Sequence, residues 1–195
     1  MRSLRAAHGA ISLRDCERST TLTRTPLDIH PMKELQPPPL SMLDKYRGED
    51  FQPLYTAKVR VTGGEAEHGR ASGIARSDDG SLDLQLRLPQ DLGGAGNGTN
   101  PEQLFAAGYA ACFHGALNLL ATQAKIPIAG AAVEAAVTFG RDPVDGLYML
   151  TADIRIHLPG VDRAVAEELV RNTERLCPYA KMARHGITSV VALST

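Results

Sequence analysis

The sequence predicts an α+β fold in which mainly antiparallel sheets pack around long central helices. Two observations carry that expectation. Short stretches alternate apolar and polar residues and are separated by tight-turn signals. Two helical stretches, one nearly uncharged and one amphipathic, stand apart from them in the chain.

Taken in order, Tyr55-Thr-Ala-Lys-Val-Arg-Val-Thr62 alternates and ends at Gly63-Gly64. A second strand is expected over 69–76, and Asp78-Asp-Gly80 turns the chain. Leu82-Asp-Leu-Gln-Leu-Arg-Leu88 alternates again and meets Pro89. Three sequential strands with short turns make an antiparallel meander. A Gly-rich loop over 93–99 leads to Asn100-Pro101, an N-cap followed by a proline in the first helical position. Glu102 then complements the positive end of the helix. The helix continues through an apolar run at 104–121. Strands are expected over 133–139 and 148–158. In the latter, Leu150, Ala152, Ile154, Ile156 and Leu158 share one face. Gly160 breaks the chain, and 162–176 reads as an amphipathic helix with Ala166, Leu169, Val170 and Leu176 as its apolar stripe. A last strand is expected over 188–193.

Residues 1–53 differ from the rest. They hold Pro26, Pro31, Pro37, Pro38, Pro39 and Pro53, half of the 12 prolines, and lack apolar periodicity. They read as a flexible N-terminal extension, and 54–195 as the folded domain. Arg2, Arg5, Arg14, Arg18 and Arg24 give the start some character of an organelle transit peptide, but Asp15 and Glu17 fit such signals poorly. A cytoplasmic location is expected, with mitochondria as the alternative.

The 21 basic and 22 acidic residues leave a net charge of -1, which argues against a nucleic-acid binder, since phosphate binding leaves a basic excess or patch. No nucleic-acid partner is expected. The apolar run at 104–121 is short for a membrane span and contains His114 and Asn118, so a buried core helix is expected and no membrane. Such a helix needs cover on all sides. One meander and one further helix can hardly supply it, and Gly108, Ala111 and Gly115 would let another backbone come close. A homodimer with a shared core is the economical arrangement.

Three cysteines suit a reducing compartment rather than a disulfide scaffold. Cys112 lies inside the apolar helix, Cys177 where the second helix ends at Pro178, and Cys16 in the extension. On its own, a cysteine in an apolar helix is core filler. Cys112 and His114 are two residues apart on a helix and face different ways, so they do not make a metal-ligand pair. His114 and Asn118, one turn apart, are expected to share a polar contact.

Asn100-Pro-Glu-Gln-Leu-Phe-Ala-Ala-Gly-Tyr-Ala-Ala-Cys-Phe113, followed far downstream by Cys177-Pro-Tyr-Ala180, resembles the organic hydroperoxide resistance (Ohr) family of the OsmC-like superfamily. The likeness spans 54–195 and includes Leu54-Tyr-Thr-Ala57 and Ser81-Leu-Asp83. It implies an intertwined homodimer and a thiol peroxidase that reduces organic hydroperoxides to alcohols. By the same resemblance Cys112 is the peroxidatic and Cys177 the resolving cysteine. They would pass through a Cys112 sulfenic acid to a Cys112–Cys177 disulfide. No bound cofactor is implied. An external dithiol, dihydrolipoamide or a lipoylated protein, would be the reductant.

Glu102 matches the family's glutamate. The family's arginine follows a double glycine, but here Gly63-Gly64 is followed by Glu65. Aligning after an insertion places Arg70 in the role, with Arg76 and Arg60 as competitors. A guanidinium beside the thiol would favour the thiolate, and a carboxylate would hold the guanidinium. Ten helical residues separate Glu102 from Cys112, about 15 Å of rise and about 80° around the axis. A site that uses both therefore draws Glu102 from a neighbouring chain. The alternatives in function are an OsmC-type peroxidase with a different peroxide preference, and a non-enzymatic redox sensor or hydrophobic-ligand-binding dimer.

Overall fold

The computed structural model describes residues 46–64 and 71–193, which belong to one compact unit, Leu35–Thr195. Most of the predicted extension, residues 1–45, and the candidate Arg70 lie outside the described residues, as does Cys16. Residues 46–53 are described, exposed and without regular structure.

The meander forms as expected, with shorter strands. β1 (Val59–Thr62), β2 (Gly73–Ser77) and β3 (Asp83–Leu86) pair antiparallel in that order. The β2–β3 turn is held by the Asp79 carboxylate, which accepts bonds from the Ser77 and Ser81 hydroxyls and the Ser81 amide. These donors pull the Asp79 pKa down to about 2. At Gly73, φ is +107 and an added Cβ would lie 2.6 Å from the Thr62 carbonyl oxygen, so only glycine fits beside β1. A short 3-10 turn (Gln90–Leu92) and the parallel bridge between Leu86 and Thr99 lead the chain to the first helix.

α1 (Pro101–Ala124) starts where the sequence indicates. The Asn100 side chain accepts the Gln103 amide at 2.8 Å, and Pro101 occupies the first turn. Its buried residues, Tyr109, Phe113, Leu117, Leu120 and Ala121, recur at three- and four-residue spacing on one face. That face packs against β4 (Ala132–Arg141) of a long antiparallel ribbon completed by β5 (Tyr148–His157). α2 (Arg163–Leu176), capped by the Asp162 carboxylate, and α3 (Pro178–His185) also pack against α1.

Two core clusters result. Leu117, Leu120, Ala121 and Leu169 form one; Tyr109, Phe113, Cys177 and Ala180 form the other. Ile156 of β5 packs against both. Leu150 and Ala152 share the apolar face expected of β5 but lie exposed beyond the core.

Two expectations need correction. No strand forms over 188–193; the segment is irregular, with Val191 98% exposed. A strand needs a neighbour for its ladder, and among the described residues none is paired with it. Gly108 does not serve approach by another chain. A Cβ there would lie 2.9 Å from the Tyr179 hydroxyl, so the space is filled from within by α3. At Gly115 a Cβ would meet nothing within 4 Å, and that side of α1 is open.

Candidate active site

The second cluster brings the two described cysteines together. Cys112 is midway along α1, on the edge of its buried face. Cys177 stands between two helices. Its amide donates to the Thr173 carbonyl at 2.8 Å, closing α2, and its carbonyl accepts the Lys181 amide at 3.0 Å, opening α3. The residue itself is extended, φ -65 and ψ 119, because Pro178 disfavours helical geometry in the residue before it. Arg184 in the last turn of α3 pairs with the Glu174 carboxylate and donates to the Glu174 carbonyl at 3.1 Å, fastening α3 to α2 around this corner.

The Cys177 thiol is thereby aimed at Cys112, and Sγ to Sγ is 3.5 Å. Both are free thiols. Cys177 is 0% exposed, beneath Tyr109, Phe113 and Ala180, whereas Cys112 is half-buried. Phe105, Tyr109 and Tyr179 wall the pair, with ring centroids 5.9 to 6.2 Å apart.

Burial in this apolar setting pushes the Cys112 pKa above the ordinary thiol value. The Tyr179 amide, in the first turn of α3, donates to Cys112 and opposes that shift, while the neighbouring Cys177 adds to it. Burial likewise raises the Tyr109 phenol. The arrangement can form a disulfide with a small closing movement of the sulfurs, since an S–S bond is about 2.05 Å long. Among the described residues no cation offsets the burial of Cys112. Thiolate chemistry here therefore calls for a charge brought from elsewhere.

Arg70 lies outside the described residues, and the other sequence candidates stand on separate elements. Glu102 is half-buried in the first turn of α1, ten residues of unbroken helix before Cys112. Arg76 on β2 is exposed and bonded to Asp83 at 3.0 Å. Arg60 is its register partner on β1. His114 and Asn118 make the expected contact, with Asn118 Nδ2 donating to the His114 carbonyl at 2.8 Å and lying beside the ring, but His114 is exposed in this chain. No cluster of three or more His, Cys, Asp or Glu side chains exists among the described residues.

Sequence reading missed α3, and with it the parts played by Tyr179 and its amide. The signal was present: a proline directly after a helix end is also a common first residue of the next helix, and Gly186 follows Arg184 and His185 as a C-terminal stop.

Known proteins share this architecture. Residues 94–191 match the family model of the OsmC-like protein. The organic hydroperoxide resistance protein of Xanthomonas axonopodis pv. citri is 42% identical over 143 residues, covering 72% of this chain and 95% of the relative. The crystal structure of the organic hydroperoxide resistance protein OhrB of Bacillus subtilis superposes with a TM-score of 0.59 at 41% identity, over 68% of this chain and 93% of that one. A counterpart from Elizabethkingia anophelis gives a TM-score of 0.62 at 38% identity, over 69% and 92%. The chain belongs to the organic hydroperoxide resistance family of the OsmC-like superfamily.

Proposed function

We propose that this chain is a thiol peroxidase that reduces organic hydroperoxides to alcohols and is recycled by a dithiol. The 3.5 Å contact between the Cys112 and Cys177 sulfurs carries this reading. It places a second thiol where an oxidised Cys112 needs one. The family relatives' name, organic hydroperoxide resistance, supports the substrate class.

In the proposed cycle the Cys112 thiolate attacks the outer peroxide oxygen. The O–O bond breaks, Cys112 becomes a sulfenic acid, and the alkoxide takes a proton to leave as the alcohol. The Cys177 thiol then attacks the Cys112 sulfur. A disulfide forms and the hydroxyl leaves as water, which protects Cys112 from over-oxidation. A dithiol, dihydrolipoamide or a lipoylated protein, reduces the disulfide by two exchanges and is itself oxidised to a cyclic disulfide. No bound metal or organic cofactor takes part. Arg70 supplies the charge that offsets the burial of Cys112, and Glu102 from a second chain holds the guanidinium.

A homodimer fits the surfaces this chain leaves uncovered. α1 has a mean hydropathy of 1.4 over its most apolar window, yet only 28% of that window is buried by its own chain. The side bearing Gly115 is open, and the apolar segment 187–193 is unpaired among the described residues. We assign their cover to a second copy, and place the enzyme in the cytoplasm, where thiol reductants are available.

A peroxidase assay with dihydrolipoamide, run beside thioredoxin and glutathione systems, tests the proposal. Many equivalents of an alkyl hydroperoxide per protein are expected with dihydrolipoamide. The apolar walls favour peroxides with an apolar tail, since each buried methylene contributes roughly 0.8 kcal/mol. Hydrogen peroxide should therefore oxidise Cys112 more slowly. Consumption of a single equivalent would refute turnover and leave a redox sensor. Equal rates with the two peroxides would point to an OsmC-type preference.

A further inference from the structure

We propose that the outer face of the α2–α3 corner is a docking surface for an acidic carrier protein that presents the reducing dithiol on a lipoyl arm. This rests on the dithiol-recycled peroxidase reading above and names the surface that recognises the carrier.

Charge is unevenly placed on these two helices. They hold five basic side chains, Arg163, Arg171, Arg175, Lys181 and Arg184, and three carboxylates, Glu167, Glu168 and Glu174. Each carboxylate has its own guanidinium. Arg163 bonds Glu167 at 2.8 Å, Arg171 bonds Glu168, and Arg184 bonds Glu174. Arg175 and Lys181 are left over. Arg175 lies within electrostatic reach of Glu168, but among the described residues neither side chain makes an ion pair or a hydrogen bond. Both are exposed, and they flank Cys177, two residues before it and four after it. Asp162, which caps α2, stands at the far end of that helix, about 20 Å of rise from Arg175.

The rest of the chain has the opposite sign. The net charge is -1, and the two helices carry a surplus of two cations, so the remaining residues sum to -3. An acidic partner is repelled by most of the molecule and drawn to this corner, which orients it before contact. Anionic lipids and nucleic acids fit less well. Glu168 and Glu174 stand among the cations and would face a uniform array of phosphates, whereas a protein face can set its own cations against them.

The corner is both free and close to the chemistry. α2 and α3 pack on the side of α1 that bears Phe113. Gly115 lies about 200° around the helix from Phe113, on the open side assigned above to a second copy. Cover there leaves the outer faces of α2 and α3 in solvent. The Lys181 amide donates to the Cys177 carbonyl at 3.0 Å, and Tyr179, two residues earlier, walls the thiols and donates its amide to Cys112. A carrier seated on Arg175 and Lys181 therefore holds a flexible arm beside the pair. The two thiols of the arm reduce the disulfide by two exchanges; the arm leaves as a cyclic disulfide and the cysteines as thiols. Free dihydrolipoamide performs the same exchange but has no charge for the corner to read.

The test compares two reductants on the full chain with Cys16→Ser, first oxidised to the Cys112–Cys177 disulfide. One is dihydrolipoamide. The other is a recombinant lipoyl domain of net negative charge, its lipoyl-lysine reduced beforehand. Alkylation of the freed thiols gives the second-order rate. Arg175→Glu with Lys181→Glu should slow the lipoyl domain more than about tenfold at low salt and change dihydrolipoamide less than about twofold. Near 0.5 M salt the loss should shrink to less than about threefold. Arg163→Glu, which reverses a 92% exposed charge at the far end of α2, should change either rate less than about twofold. Should the paired glutamates disturb α2 beside Glu168, Arg175→Gln with Lys181→Gln replaces them, with a smaller loss of the same selectivity.

An unchanged rate with the lipoyl domain overturns the docking surface. So does an equal loss with both reductants, or a loss as large from Arg163→Glu. If dihydrolipoamide reduces the protein and the lipoyl domain does not, docking falls and the peroxidase cycle stands; if neither acts, both fall. Co-sedimentation with phosphatidylglycerol vesicles that is lost in the double variant would assign the corner to a membrane and overturn the proposal.

Discussion

Replacing Gly108 with alanine puts a methyl group 2.9 Å from the Tyr179 hydroxyl, 3.3 Å from its Cζ and 3.4 Å from its Cε1. Two opposed effects then compete. Alanine in a helix interior is favoured over glycine by about 1 kcal/mol. Overpacking a filled site costs about 1 to 3 kcal/mol. The ring cannot swing away freely, because Phe105 and Tyr109 stand at centroid distances of 6.2 and 5.9 Å and the Tyr179 amide is engaged with Cys112. The packing cost should win, for a net loss of about 1 kcal/mol, or roughly 2 to 4 °C in Tm for a domain of this size.

In a Tyr179→Phe background the nearest atom is gone, and the remaining ring contacts need a shift of only a few tenths of an ångström. There Gly108→Ala should cost nothing or stabilise by up to ~1 kcal/mol. Denaturant unfolding of the four proteins at one fixed protein concentration gives the double-mutant cycle, with a coupling of about 1 to 2 kcal/mol expected. An equal effect of Gly108→Ala in both backgrounds would refute the account of Gly108 as room for Tyr179. Since Tyr179 also adjoins the thiols, Gly108→Ala alone should slow Cys112 oxidation, and the Tyr179→Phe partner should restore part of that rate.

Four further outcomes are expected. Cys112→Ser should abolish peroxide reduction with the far-ultraviolet circular dichroism unchanged, whereas Cys177→Ser should complete one oxidation per site and then stall or over-oxidise, as mass spectrometry would record. Arg70→Ala should slow Cys112 oxidation and move its pH profile to the alkaline side, because burial alone pushes this thiol up; Arg76→Ala, whose guanidinium is bonded to Asp83, and Arg60→Ala should not. In the Arg70→Ala protein the folded state then holds the Cys112 proton more tightly than the unfolded state does. Stability by urea unfolding should therefore fall as pH rises from the ordinary thiol range through the raised folded value. For Asp79 the sign is opposite: its folded pKa of about 2 lies below the ordinary 3.8, so its contribution is present above 3.8 and lost as pH falls through 2. Asp79→Asn should remove that part of the acid dependence in the same measurement.

Local chemistry made much of this protein legible before any coordinates. The α1 start followed from Asn100 and Pro101, because a capping side chain and a proline act over one turn. The alternation in 55–62 and 82–88 located β1 and β3, although only the second half of the first stretch and the inner four residues of the second form strands. The ribbon strands were both expected, β5 from its apolar periodicity, although β4 runs beyond the expected 133–139 at both ends. The motif around Cys112 marked the thiol, and its likeness to a family supplied a second cysteine to go with it.

Tertiary structure decided what depends on partners distant in the chain. The alternating residues 188–193 form no strand because a ladder needs a second edge, which no single segment can announce. Gly108 looked like a place for another backbone until α3 put Tyr179 there. Most of all, the meeting of Cys112 with Cys177 at 3.5 Å, one half-buried and the other fully covered, depends on α2 and α3 turning a corner at Cys177-Pro178 against the face of α1. Sequence by itself determined where the thiols lie in the chain, and the family resemblance singled out Cys112 and Cys177 among them. Burial and distance, which leave Cys112 half-buried and 3.5 Å from a fully covered Cys177, arise only when separate elements pack together.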